Sequence, residues 1–184
     1  MKRRGEYVTQ AVHAATIELL TNDPDTVSIA EIGRRADVHR ASIYRRWKTL
    51  DNLITDAILH RVEFDVPVPD TGSARDDLVE FLRTVRRFVE SPVGHALARL
   101  SVTPTISAEA SIDRRALWNK RFDDATAIVQ RGIERRELRP DTDADTLITL
   151  ATAAIHLESL TEGTQPVIDI EVAIDLLWRG VAAS

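Results

Sequence analysis

The chain has 184 residues, no cysteine and a formal net charge of −5 at pH 7. That length allows one ordinary domain, or a small domain joined to a medium one, with a core large enough to need no staple. The missing cysteines exclude disulfides, thiolate metal sites and cysteine nucleophiles, and they fit a reducing compartment. The basic start, Met1 to Tyr7, has no apolar stretch behind it and does not read as a signal peptide. No apolar run approaches the ~20 residues of a membrane span. These features predict a cytoplasmic protein with no membrane partner.

Apolar residues recur at helical spacing along the chain, and no strand alternation competes with them. The first predicted helix, about Arg4 to Leu20, carries the stripe Val8, Ala11, Val12, Ala15 and Leu19. Asn22-Asp-Pro-Asp25 breaks it. Ser28 and Glu31 then form a capping-box signature, and Val27 with Ile32 a hydrophobic staple, opening a helix over Ile29–Ala36. A tight connection at Asp37-Val-His39 leads to a third short helix, Arg40–Trp47, with Ile43 and Trp47 inward. Thr49 can cap a fourth helix that runs to about Arg61. The segment Val66–Gly72, with two prolines and a glycine, reads as the linker. It divides the chain into expected domains at 1–62 and 63–184. Helices are then expected at about Ser73–Glu90, Val93–Val102, Ala108–Glu137, Asp143–Glu162 and Ile170–Ala183, punctuated by prolines 92, 104, 140 and 166.

Charge is unevenly distributed. Residues 1–61 hold 10 Lys/Arg against 8 Asp/Glu, whereas 62–184 hold 14 against 21. Between Gly33 and Lys48, six bases (Arg34, Arg35, Arg40, Arg45, Arg46 and Lys48) face a single acid, Asp37. A charge cluster alone is most simply a solvated face. This one coincides with two short helices joined by a tight turn, the helix-turn-helix layout, whose second helix fits the DNA major groove. Arg40, Ala41, Ser42, Tyr44, Arg45 and Arg46 remain outside the core once Ile43 and Trp47 turn inward. Arginines, a hydroxyl and a phenol suit guanine edges and phosphate oxygens. The N-termini of helices two and four, at Ser28 and Thr49, offer backbone N–H groups to phosphates.

The string Thr26 to Trp47, followed by Leu53, resembles the DNA-binding signature of the TetR (tetracycline-repressor-type) family. Pro69-Asp-Thr-Gly72 with Asp77-Leu78, and Arg131-Gly-Ile-Glu-Arg-Arg-Glu-Leu-Arg-Pro140, are similar to one branch of that family's ligand-binding domains. The resemblance covers most of the chain, and its specific part is residues 26–53. It implies an all-α fold: an N-terminal three-helix helix-turn-helix domain and a C-terminal helical bundle. It implies base and phosphate contacts at Arg40, Ala41 and Ser42, a phosphate contact at Tyr44, and base or backbone contacts at Arg45 and Arg46. Ser28 joins them at its helix start. His39 is either a turn residue or a DNA contact, Tyr44 and Trp47 can also be read as core aromatics, and Arg34 and Arg35 as solvated or peripheral. The family usually has a lysine at the start of the fourth helix, where this chain has Leu50; Lys48 can supply that charge.

The resemblance further implies an effector pocket and dimerisation through the last two helices. Phe81, Phe88, Leu97, Leu100, Trp118, Phe122 and His156 are the pocket candidates, each equally readable as ordinary packing or a surface residue. Leu147, Leu150, Ala154 and Leu157 on one helix, and Ile174, Leu177, Trp178 and Val181 on the next, are the interface candidates, with a simple internal core as the competing reading. Expected partners are double-stranded operator DNA, a small-molecule effector of undetermined class and a second copy of the chain. No cofactor or metal is expected. The expected role is that of an effector-released repressor on a palindromic operator. Enzyme readings find little support: there is no Gly-x-Ser-x-Gly and no Gly-rich phosphate loop. His156-Leu-Glu158 matches the His-x-Glu step of zinc deaminases, whose cysteine ligands are missing. The five histidines lack metal-ligand spacing. A helical scaffold would explain the bundle but not the basic cluster.

Overall fold

Short polar side chains open the helices by accepting hydrogen bonds from N–H groups that have no partner within the helix. Ser28 accepts from Glu31 N at 3.2 Å, Thr49 from Asn52 N at 3.1 Å and Ser73 from Asp76 N at 3.3 Å. Asp143 accepts from Thr146 N at 2.7 Å, and Asp169 from Glu171 N at 2.9 Å. The computed structural model describes residues 2–102, 122–160 and 167–183. Its helices are α1 (Lys2–Asn22), α2 (Ile29–Ala36), α3 (Arg40–Trp47), α4 (Leu50–Asp65), α5 (Ala74–Val89), α6 (Pro92–Val102), α7 (122–134), α8 (Ala144–Leu160) and α9 (Ile170–Val181). A 3-10 turn at Pro24–Thr26 joins α1 to α2. Among the described residues the chain is all-α; an isolated backbone bridge, Leu138 to Ala182, is the sole extended pairing.

Helix α4 runs four residues beyond its expected end. Val62 extends the buried row of Ala57 and Ile58, and the helix stops only where Pro67 forbids α geometry to Val66. Helix α7 ends earlier than expected. Arg136 has φ 63°, and the N–H groups of Glu137 and Leu138 fold back onto Gly132 O. The first part of that expected helix, from Ala108, lies outside the described residues.

The chain forms two compact units. The first holds the residues to Glu63 together with α6, which packs on α1. Its core is Val12, Ala15, Leu19, Ile29, Ile32, Ile43, Trp47 and Leu53, with Val8, Val27, Ala36, Val38 and Leu50 packed against it. Val27, just before the α2 cap, packs against the cluster that holds Ile32. The second unit holds Phe64–Ser91 and the described residues from 122 onward. In it α5 packs against α8 and α9, burying Leu78, Phe81, Leu82, Val85, Phe88, Ile148, Ile155 and Ile174.

The two C-terminal segments singled out in the sequence meet within this second unit. Fully buried Asp77 accepts from Thr71 N and Oγ1 at 2.6 and 2.7 Å. Arg131 donates to Pro69 O at 2.5 Å, and Arg131 and Arg135 face the Asp77 carboxylate at 3.6 and 3.7 Å. Glu137 accepts from Ala74 N at 2.6 Å. A Cβ on Gly132 would lie 2.7 Å from Ala74 Cβ, so this crossing tolerates only glycine. The linker is thereby fastened to the end of α7.

Candidate DNA-reading surface

Helix α3 stands out because of how tightly α2 hands over to it. Asp37 adopts the left-handed conformation, φ 52°, and both it and Val38 close their N–H groups onto Gly33 O. A Cβ on Gly33 would sit 2.7 Å from Val38 O, so the turn closes only over glycine. His39 follows in extended geometry as the N-cap of α3, its carbonyl accepting from Ser42 N at 2.9 Å. In the eight residues of α3, Ile43 and Trp47 lie one turn apart and are buried. That fixes the helix phase. Arg40, Ala41, Tyr44, Arg45 and Arg46 are exposed and Ser42 is half-buried. Tyr44, at 52% exposed, leaves the core reading to Trp47. His39 and Lys48 flank the helix, both exposed.

Helix α3 ends on strain. Lys48 has φ 66° and ψ −50°, and Thr49 N donates to Trp47 O at 2.7 Å, a γ-turn of the hand that L-residues rarely adopt. This turn throws the Lys48 side chain outward beside α3.

The six bases separate into two groups. Arg34 binds the Glu31 carboxylate through Nε at 2.9 Å and Nη2 at 2.5 Å. Arg35 binds Glu31 at 3.2 Å and Glu18 at 2.7 Å. Glu31 does not complete the capping box with Ser28, because two guanidinium groups one turn along draw its carboxylate away from the backbone. The Arg34 hydrogen bond first, then that of Arg35, lowers its pKa from 4.5 to about 2. Arg40, Arg45 and Lys48 make no ion pair among the described residues, and Arg46 lies over the Trp47 ring at 5.2 Å. The cations left free are thus on and beside α3, and those on α2 are neutralised. Ser28 lines a cleft of about 560 Å³ with Thr26, Glu31, Arg34 and Arg40, at the start of α2. Its oxygen accepts from Glu31 N, and its hydroxyl proton stays available to an acceptor.

Beneath α3, the Trp47 indole Nε1–H donates to Asp56 Oδ2 at 2.6 Å, and His13 Nε2 reaches the same oxygen at 2.9 Å. The His13 hydrogen bond holds the Asp56 pKa below its ordinary value, with the Trp47 bond and the Arg46 charge adding to it against partial burial. Sequence reading missed this pair. The available signal was a histidine inside the apolar stripe of α1.

The described effector-pocket candidates fall in both units. Phe81 and Phe88 are buried in the core of the second unit, and Phe122 is half-buried. His156 is exposed, its Nδ1 2.9 Å from Thr152 O. Leu97 is half-buried on α6 in the first unit. Trp118 and the Leu100 side chain lie outside the described residues. A separate polar cleft of about 650 Å³ in the second unit is lined by Arg83, Arg86, Arg87, Glu90, Asp169, Ile170 and Glu171. Among the described residues no cluster of His, Asp and Glu could hold a metal ion.

The interface candidates divide by helix phase. Leu147 and Ile174 point into the chain's own core, Ala154, Leu177, Trp178 and Val181 are half-buried, and Leu150 and Leu157 are exposed. Val172 and Leu176 on α9 are also exposed, 55% and 65%. No described helix is long and apolar enough to cross a membrane.

Comparison with known proteins agrees with this geometry. The family model described as "Tetracyclin repressor-like, C-terminal domain" matches residues 68–177. The HTH-type transcriptional regulator AqdR of Rhodococcus erythropolis is 36% identical over 162 residues, covering 88% of this chain and 78% of that protein. The DNA-binding transcriptional repressor TetR of Mycobacteroides abscessus is 34% identical over 89 residues, 47% of each chain. The crystal structure of the TetR family transcription regulator SCO0332 matches with a TM-score of 0.82 at 26% identity, covering 96% of this chain and 99% of that one. The chain belongs to the TetR family of HTH-type transcriptional regulators, DNA-binding proteins and not enzymes.

Proposed function

We propose that two copies of this chain bind a pseudo-palindromic operator in the cytoplasm and repress transcription until a small effector releases them. The observation that carries the reading is the uncommitted cationic face of α3, with Arg40 and Arg45 free among the described residues and Ile43 and Trp47 fixing the helix phase. In this reading residues 1–62 form the DNA-binding domain. Arg40, Ala41, Ser42, Arg45 and Arg46 face base edges and nearby phosphates, while Ser28, His39, Tyr44 and Lys48 anchor the backbone.

Residues 63–184 then form the effector-binding and dimerisation domain. The exposed apolar row of Leu150, Leu157, Val172 and Leu176 on α8 and α9 supports a four-helix contact with a second copy. Such a pair presents two α3 helices about 34–36 Å apart, one DNA turn. An effector that favours a dimer with another spacing lowers operator affinity about 5- to 150-fold for a typical coupling of ~1–3 kcal/mol. The repressor role is supported by the name of the M. abscessus relative.

The test is selection of duplexes from genomic fragments and random libraries by the purified protein. The expected result is one inverted repeat with half-sites a helical turn apart, bound by two chains. Enrichment of no duplex, or of an asymmetric site bound by one chain, refutes the reading.

A further inference from the structure

We propose that His13 is a positioning residue for DNA reading, acting through Asp56 and Trp47 to hold Arg46 in place on α3. The inference rests on α3 being the DNA-contacting helix. One carboxylate oxygen, Asp56 Oδ2, joins three helices: His13 Nε2 of α1 lies at 2.9 Å, Trp47 Nε1 of α3 at 2.6 Å, and Asp56 itself belongs to α4. An ionised carboxylate only accepts, so both partners donate and His13 carries its proton on Nε2. Trp47 is the last residue of α3, and its ring lies under the Arg46 guanidinium at 5.2 Å, within cation–π range. Turning the indole moves the platform on which Arg46 rests.

The position of His13 argues that its proton is what matters. It is 6% exposed within the apolar stripe of α1, with its ring 5.7 Å from Trp47 and 5.2 Å from His60. Its Nδ1 is buried without a hydrogen-bond partner among the described residues. Burying an unsatisfied polar atom is costly, and an aliphatic side chain would pack this stripe without that cost. What His13 adds over leucine is the Nε2 donor. With it, Asp56 is oriented from one side by α1 and accepts the indole from the other. Without it, the half-exposed Asp56 can rotate toward solvent.

The experiment uses the full chain and four variants: His13→Leu, His13→Gln, Arg46→Ala and His13→Leu/Arg46→Ala. Glutamine can bring an amide N–H to the place of Nε2. Affinity is measured for a duplex selected by the wild-type protein and for an unrelated duplex of equal length. The Trp47 indole proton, assigned with Trp47→Phe, is followed by NMR without DNA. His13→Leu is expected to weaken the selected duplex about 5- to 10-fold, within the range of contacting-residue couplings. It should move the indole proton upfield, and His13→Gln should restore both. In the Arg46→Ala background, His13→Leu should add less than about 2-fold, because the residue it positions is gone. Independent, multiplying losses for His13→Leu and Arg46→Ala, or an indole proton unmoved by His13→Leu, overturn the proposal. Should His13→Leu fail to fold, His13→Asn, too short to reach Asp56, takes its place with the same expected pattern. Wild-type protein that selects no duplex overturns the DNA reading itself, whereas a failure of positioning alone leaves wild-type binding intact.

Discussion

Gly33→Ala tests whether the α2–α3 turn closes as tightly as described. In an ordinary helix interior this substitution stabilises by up to about 1 kcal/mol, because alanine loses less backbone entropy. Here the new methyl carbon lies 2.7 Å from Val38 O and 3.5 Å from Ile43 Cδ1. The first contact is with backbone. Val38 cannot simply swing aside, since its own N–H donates to Gly33 O at 2.9 Å. Relief requires the turn to open, at about 1–3 kcal/mol for overpacking and about 1 kcal/mol for a weakened hydrogen bond. Set against the propensity gain, the net loss is about 1–3 kcal/mol. For a chain of this size that lowers the melting temperature by roughly 2–12 °C. Gly5→Ala is the control: nothing lies within 4 Å of its added Cβ, and stability should hold or rise slightly. Urea and thermal melts followed by circular dichroism read both variants, and affinity for the selected duplex reads the displacement of α3. A Gly33→Ala protein as stable as the wild type, with undiminished operator binding, would refute the geometry.

Arg40→Ala and Arg45→Ala should each cost about 1–3 kcal/mol in operator affinity and relax preference at one base pair, as bidentate readers do; binding curves unchanged in both, with unchanged base preference, would remove the contact assignment. Lys48→Gly should raise stability by about 1 kcal/mol by relieving the positive-φ turn, yet reduce the salt slope of DNA binding by about one; equal slopes would mean that Lys48 meets no phosphate. Glu31 has its folded pKa depressed to about 2 from 4.5, so its stabilisation of α2 is fully present above pH 4.5 and lost as pH falls through about 2. An NMR titration of Glu31 with a midpoint near 4.5 contradicts this, and Glu31→Gln should remove that part of the acid dependence. Leu176→Asp places a charge on the exposed α9 face and should convert dimer to monomer in sedimentation; a dimer that survives it uses another surface.

The features legible in the sequence are those whose causes are local. Ser28, Thr49 and Ser73 announce helix starts because the cap and the N–H it satisfies lie within three residues. The Ile43–Trp47 spacing fixes which side of α3 faces inward, and so which side chains are free. Partners distant in sequence stayed hidden. Nothing near Asp77 says that two arginines from around the end of α7 face it. Nothing near His13 names Asp56, 43 residues away. The apolar positions of α8 and α9 all read alike as interface candidates. Periodicity alone could not tell that Leu147 and Ile174 serve the chain's own core while Leu150 and Leu176 remain exposed.

The arginines show why residue counting underdetermines a site. Arg34, Arg35, Arg40 and Arg45 contribute equally to the local charge. Glu31 stands one turn before the first two and engages their guanidinium groups, while α3 itself contains no acid. A cation already paired must break that pair to meet a phosphate, so its net contribution to DNA affinity is small. A free one on a helix whose phase is locked by two buried side chains meets the groove without rearrangement. In the proposed function, α3 is set apart as the reading helix by the neutralisation of its neighbour as much as by its own charge. Glu31→Ala, by freeing Arg34 while Arg35 keeps its pair with Glu18, extends the cationic face onto α2 and trades sequence discrimination for non-specific affinity.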